Sequence, residues 1–205
     1  MNHPHAILRL ALHWLIATMG AGILSSLFAF NIGAEIGYKL VPPGGDLSLR
    51  LYPISLPAIL GFLSMGSVIG LFQWFVLRRR LADAWAWIPL SALAFPLAIE
   101  GLELLIPYRI NPDGLLFVIP VSVIQWLYLR RHVTRSSSWI YLHAGLALIV
   151  LLLGLIPSSA EVDCCIDFKE QLIGSLIFGI LLALPGTAGI ALIFRAAAQG
   201  SNGAA

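Results

Sequence analysis

Glu100 and Glu103 stand three residues apart inside an apolar run that ends near Ile106. At that spacing two carboxylates share one face of a helix. A carboxylate in hydrocarbon is costly enough to be suspected of function, so the pair is a candidate ion or solute site, holding a cation or a proton. Depth supplies the competing explanation. At 1.5 Å per residue from a boundary near Ile106, Glu103 lies ~5 Å and Glu100 ~9 Å deep, which snorkelling and pairing with Arg109 can absorb. Gln73 and Gln125 are two amides within apolar runs, each about one turn ahead of an arginine cluster. An amide there can bond a neighbouring helix, or two can line a polar pathway for a small solute. Cys164 and Cys165 adjoin in the acidic stretch EVDCCIDFKE. Adjacent thiols lack the spacing of a zinc or iron–sulfur motif, so no metal site is expected. A redox role is open to them, as a vicinal disulfide or in pairing with another chain.

His13 and His143 give one enzyme-like alternative. Each lies five to seven residues inside the same predicted boundary, at a shared depth of ~8–11 Å. Two imidazoles from different helices at one depth are weak candidates for ligating a b-type haem. Arg9-x-x-x-His13-Trp14 is similar to the first helix of membrane cytochromes b, but the second ligand pair of a transmembrane electron path is missing. No cofactor is predicted. The sequence also has no nucleophile–base set, phosphate-binding glycine loop or metalloprotease helix, so a catalytic role is not expected.

The elements that must position these residues are set by composition. Of 205 residues, 59% are hydrophobic and only 11% charged, with a mean hydropathy of +0.91. No soluble domain of this size tolerates such a surface, so lipid is the expected solvent. A net charge of +2 argues neither for nucleic acid nor for acidic substrates, and no nucleic-acid partner is expected. Runs near the ~20 residues needed to cross a ~30 Å core occur at Ala6 to Phe30, Ile54 to Leu77, Trp85 to Ile106, Leu115 to Leu129, Trp139 to Ile156 and Leu172 to Phe194. They are continuously apolar, which predicts helices and not barrel strands. The expected fold is therefore an all-α, polytopic integral membrane helix bundle of about six transmembrane helices, forming a single domain over 1–205.

Sidedness follows from the basic residues. Arg9, Arg78, Arg79, Arg80, Arg130, Arg131, Arg135 and Arg195 fall on the side of the termini, against Lys39, Arg50, Arg109 and Lys169 on the other. This asymmetry predicts both termini in the cytoplasm, with the protein multipass in the cell membrane. Trp74 and Trp126 then sit as interfacial belt residues. Arg78, Arg79, Arg80, Arg130 and Arg131 act as topology anchors or hold anionic phospholipid headgroups.

The two basic clusters end a repeated word: QWFVLRRR at Gln73 returns as QWLYLRRH at Gln125, 52 positions later. Aligning Gln73–Ala92 with Gln125–Ala144 without gaps gives nine identities in twenty columns, including two tryptophans, the glutamine and the Arg-Arg pair. Spans two and three thus read as a hairpin duplicated in spans four and five, a parallel internal repeat over about 61–106 and 113–156. Gly66 and Gly70 form a Gly-x-x-x-Gly in span two, and span six carries Gly174, Gly179, Gly186 and Gly189, which are packing signals.

The chain resembles a group of uncharacterised bacterial multipass membrane proteins of cyanobacteria and Chloroflexi. Their pattern is Trp-x-x-Ala-Thr-x-x-Gly in the first span, paired Gly-x-x-Gln-Trp-x-x-Leu-Arg-Arg words, and a glycine-studded last span. Trp14, Ala17, Thr18 and Gly20 fit the opening; Gly70, Gln73, Trp74 and Leu77 fit the first word; Gly186, Thr187 and Gly189 fit the end. Ser122 replaces the glycine of the second word. The resemblance implies a six-helix fold and no known reaction. The expected function is that of a non-catalytic membrane subunit, assembly factor or scaffold, with other membrane proteins or a second copy as partners. The alternative is a small transporter or channel.

Overall fold

The computed structural model describes residues 4–40, 56–105, 118–133, 136–152 and 168–200, all of them helical apart from short turns. In chain order the helices are α1 (Pro4–Leu24), α2 (Phe30–Leu40), α3 (Leu56–Leu77), α4 (Trp87–Leu105), α5 (Val118–His132), α6 (Ser137–Leu152) and α7 (Phe168–Gly200). A π turn, Ser25–Ala29, joins α1 to α2 without leaving helical backbone angles, so the two make one rod. Ser25 closes this turn from within, its hydroxyl donating to the Gly22 carbonyl at 3.0 Å. Six helical rods are therefore present among the described residues.

Helices are what the composition demands, because a helix satisfies its own backbone polar groups where water cannot. Three are long and apolar enough to cross a membrane: His5–Gly37, Leu56–Leu77 and Leu172–Arg195. Ala84–Ala98 and Ser137–Ile149 are apolar but shorter. At fifteen residues, α5 measures about 22 Å, short of a ~30 Å core. The first rod outruns the expected Ala6–Phe30 by ten residues: Asn31 and Glu35 lie exposed, no proline interrupts Phe30–Leu40, and Gly33 and Gly37 pack closely on α3. α7 likewise runs through Pro185. Lacking an N–H, that residue removes one helical bond without ending the helix.

The rods close into a ring. α1 packs on α3, each later helix packs on its successor from α3 to α7, and α7 returns to α1 in the most extensive contact of all. Short connections fold α3 onto α4 and α5 onto α6. Gly66 and Gly70 face α4, where a Cβ would stand 2.5 Å from the Ser91 carbonyl and 2.9 Å from the Ser91 Cβ, respectively. The Gly-x-x-x-Gly therefore brings two backbones together. On the α1–α7 seam the pair is Gly22 and Gly179, where a Cβ on Gly22 would lie 2.6 Å from the Gly179 Cα.

The core divides into two layers. One holds Met65, Ile69, Phe95, Val118, Val121 and Leu182; the other, at the end of the bundle that carries the arginines, holds Trp14, Leu77, Trp87, Tyr128, Leu129 and Trp139. Outside, Leu12, Ile16, Phe28, Ile32 and Ile36 are exposed along the first rod, as are Leu172, Ile173, Leu176 and Ile177 on α7.

Candidate functional site

Three tryptophans meet inside the basic end of the ring. Trp14 of α1, Trp87 of α4 and Trp139 of α6 pack edge to face, with ring centroids 6.1, 5.7 and 5.9 Å apart. Tyr128 of α5 adds a fourth ring, 5.6 Å from Trp87. Aromatic edges are positive and faces negative, so each such contact contributes ~0.5–1.5 kcal/mol beyond burial. α7 admits the cluster through a notch: a Cβ at Gly186 would stand 2.6 Å from Trp14 Nε1, and one at Gly189 would stand 3.0 Å from Trp139 Cε3.

Gln73 ties this cluster to one further helix, α3. Its Oε1 accepts from Trp87 Nε1–H at 2.7 Å, and its Nε2 donates to Thr18 Oγ1 at 3.4 Å. One buried amide thus joins α1, α3 and α4. Gln125, at the equivalent place in the second word, donates to Ser91 Oγ at 3.3 Å and joins α5 to α4. Trp139, the counterpart of Trp87, has no hydrogen-bond partner on Nε1 among the described residues, nor has Trp14 Nε1 or the Tyr128 hydroxyl. The two words agree more closely at their ends. Arg78 lies over the Trp74 ring at 5.3 Å and Arg130 over the Trp126 ring at 5.2 Å, cation–π contacts at matching positions.

The sequence-predicted residues separate. Gln73 and Gln125 are buried helix-to-helix ties. His13 is exposed, its Nδ1–H donating to the Arg9 carbonyl at 2.6 Å. His143 is buried against Trp139, its Nδ1–H donating to the Trp139 carbonyl at 2.7 Å. His13 lines the groove described below and His143 does not. Arg78, Arg79, Arg80, Arg130 and Arg131 are exposed, with Trp74 and Trp126 half-buried beneath them. Glu100 and Glu103 belong to the helical backbone of α4, but their side chains lie outside the described residues, as do Cys164 and Cys165. Among the described residues, no three His, Cys, Asp or Glu side chains gather as a metal site requires.

Sequence reasoning missed a groove of about 960 Å³ between α1 and the end of α3. Its mouth carries Arg9, Arg78, Arg79 and Arg80, and its wall carries Ile16, Gly20, Phe72 and Phe75. The signal was present as basic residues on one predicted side of the membrane; which helix neighbours which was not. It missed the aromatic cluster too, although Trp87 and Trp139 recur in register.

No protein-family model matches the chain, and neither the curated proteins nor the solved structures contain a significant match.

Proposed function

We propose that the chain is a multipass cell-membrane protein whose six helical rods cross the bilayer, termini in the cytoplasm, and that it serves as a non-catalytic membrane subunit, assembly factor or scaffold. The observation that carries this is how its intramembrane polar groups are used. Gln73 and Gln125 are both engaged with neighbouring helices, so the paired amides that could have lined a solute pathway act as ties. The exposed apolar faces of the first rod and of α7 are suited to lipid or to the helices of a partner. The recurrence of Gln73, Trp87 and the Arg78–Trp74 stack as Gln125, Trp139 and the Arg130–Trp126 stack supports a duplicated hairpin, α3–α4 and α5–α6.

Extraction in mild detergent tests the role: defined partners in fixed ratio are expected, and a lone monodisperse species counts against it. Transport is the competing outcome. A flux in reconstituted vesicles that Glu100→Gln or Glu103→Gln abolishes would replace this proposal. Reporters fused after Arg80 and Arg131 should lie in the cytosol; an external signal from either overturns the topology.

A further inference from the structure

The groove between α1 and α3 joins two chemistries that one class of molecule carries together. At one end, Arg9 of α1 and Arg78–Arg80 of the turn that follows α3 line a single opening. None of the four has a carboxylate within ion-pair distance among the described residues, where Glu35 with Lys39 is the ion pair formed. Beyond the opening the wall turns apolar, with Ile16, Phe72 and Phe75. From Arg9 to Gly20 is eleven residues, about 16 Å along the helix, close to the ~15 Å hydrocarbon depth of one leaflet. Gly20 leaves this wall open, since a Cβ there would meet nothing within 4 Å. Arg78 is preset beneath the mouth, its guanidinium 4.8 Å from the Phe75 ring and 5.3 Å from the Trp74 ring. A planar guanidinium so held keeps its N–H edges for phosphate oxygens.

We infer that this groove is a binding site for one anionic diacyl phospholipid, its phosphodiester held by Arg9 and Arg78–Arg80 and an acyl chain lying along Ile16, Gly20 and Phe75. The inference rests on the proposed membrane topology, which places this end of the ring at the headgroups. It also separates the two repeated words. Arg130 and Arg131 do not line the groove, and α1 packs on α3 and α7 instead of on their helix, α5. On this proposal they meet the leaflet outside the groove.

The test uses the purified full chain, stripped of native lipid in mild detergent and mixed with phosphatidylglycerol or phosphatidylcholine, with bound lipid counted by native mass spectrometry. One phosphatidylglycerol per chain is expected in preference to phosphatidylcholine. Arg79→Gln with Arg80→Gln should weaken it about 25-fold, at roughly fivefold per arginine, while Arg130→Gln with Arg131→Gln leaves it unchanged. Gly20→Leu should abolish binding by filling the wall, with thermal unfolding in detergent showing the fold intact. Equal retention of both lipids, or indifference to Arg79→Gln with Arg80→Gln, overturns the site. Competition by millimolar inorganic phosphate, with Gly20→Leu harmless, would show an anion site that takes no lipid and equally overturns it. A carbonate wash separates the two levels: release from membranes defeats the topology, whereas an integral protein that ignores phosphatidylglycerol defeats the groove alone.

Discussion

Replacing Gly22 by alanine should destabilise the protein at the seam between α1 and α7. The new Cβ would lie 2.6 Å from the Gly179 Cα and 3.3 Å from the Gly179 nitrogen. Carbon atoms in good contact sit about 3.5–4.0 Å apart, so the helices must part locally by about 1 Å. The obstructing atoms are backbone, which cannot rotate aside as a side chain would. Such overpacking costs about 1–3 kcal/mol. A glycine-to-alanine change in a helix also brings a propensity gain of up to about 1 kcal/mol, which can hide part of this.

Gly174→Ala on α7 isolates the steric part, because a Cβ there meets nothing within 4 Å. Both variants gain the propensity; only one meets a backbone. Reversible unfolding in mixed micelles should therefore place Gly22→Ala about 1–3 kcal/mol below Gly174→Ala. Gly179→Ala should join the damaged class, since its Cβ would stand 2.8 Å from the Met19 carbonyl oxygen. If Gly22→Ala proves as stable as Gly174→Ala, the close approach of α1 and α7 is refuted.

Gln73→Leu should cost about 1–3 kcal/mol by leaving the buried Trp87 N–H without its acceptor. Gln125→Leu, which gives up a single 3.3 Å bond, should cost nearer ~0.6 kcal/mol by the same unfolding measurement. Trp87→Phe should be more damaging than Trp139→Phe by about 1 kcal/mol, since equal volume is removed but only Trp87 donates a bond; equal costs would count against the Gln73 tie. Gly186→Leu should displace Trp14 and weaken the near-ultraviolet circular dichroism of the aromatic cluster, while far-ultraviolet helicity stays.

The sequence made the helices legible because a continuous apolar run has few other solutions. It made Gln73 and Gln125 legible as ties because polar residues stand out in such runs. Their partners were hidden for the same reason. A helix that is apolar all round does not declare which face meets protein and which meets lipid, so nothing marked Thr18, Trp87 and Ser91 as the groups those amides would meet. Helix ends in the first and last rods were also hidden, since hydropathy falls at Asn31 and Glu35 while helical backbone continues. The α1–α3 groove needed the order of the ring, which no local pattern carries.

The two halves of the site differ in spite of matching words. Aligning the words pairs Ser91 with His143, and Trp87 with Trp139, but α1 packs on α3, which carries the first word, whereas α7 packs on α6. α1 supplies Thr18 to Gln73 and Trp14 to the cluster, whereas Gln125 reaches back to Ser91 of the first copy. Asymmetry therefore enters through α1, which supplies Thr18, and through the aligned segments themselves, where Ser91 stands against His143. Thr18→Val should then cost little, because Gln73 keeps Trp87 at 2.7 Å, whereas Ser91→Ala removes the hydroxyl on which Gln125 rests. The difference should be about 0.5 kcal/mol or more in unfolding free energy. An equal cost for the two would mean that Gln125 has a second anchor and that the copies are alike in bonding as well as in sequence.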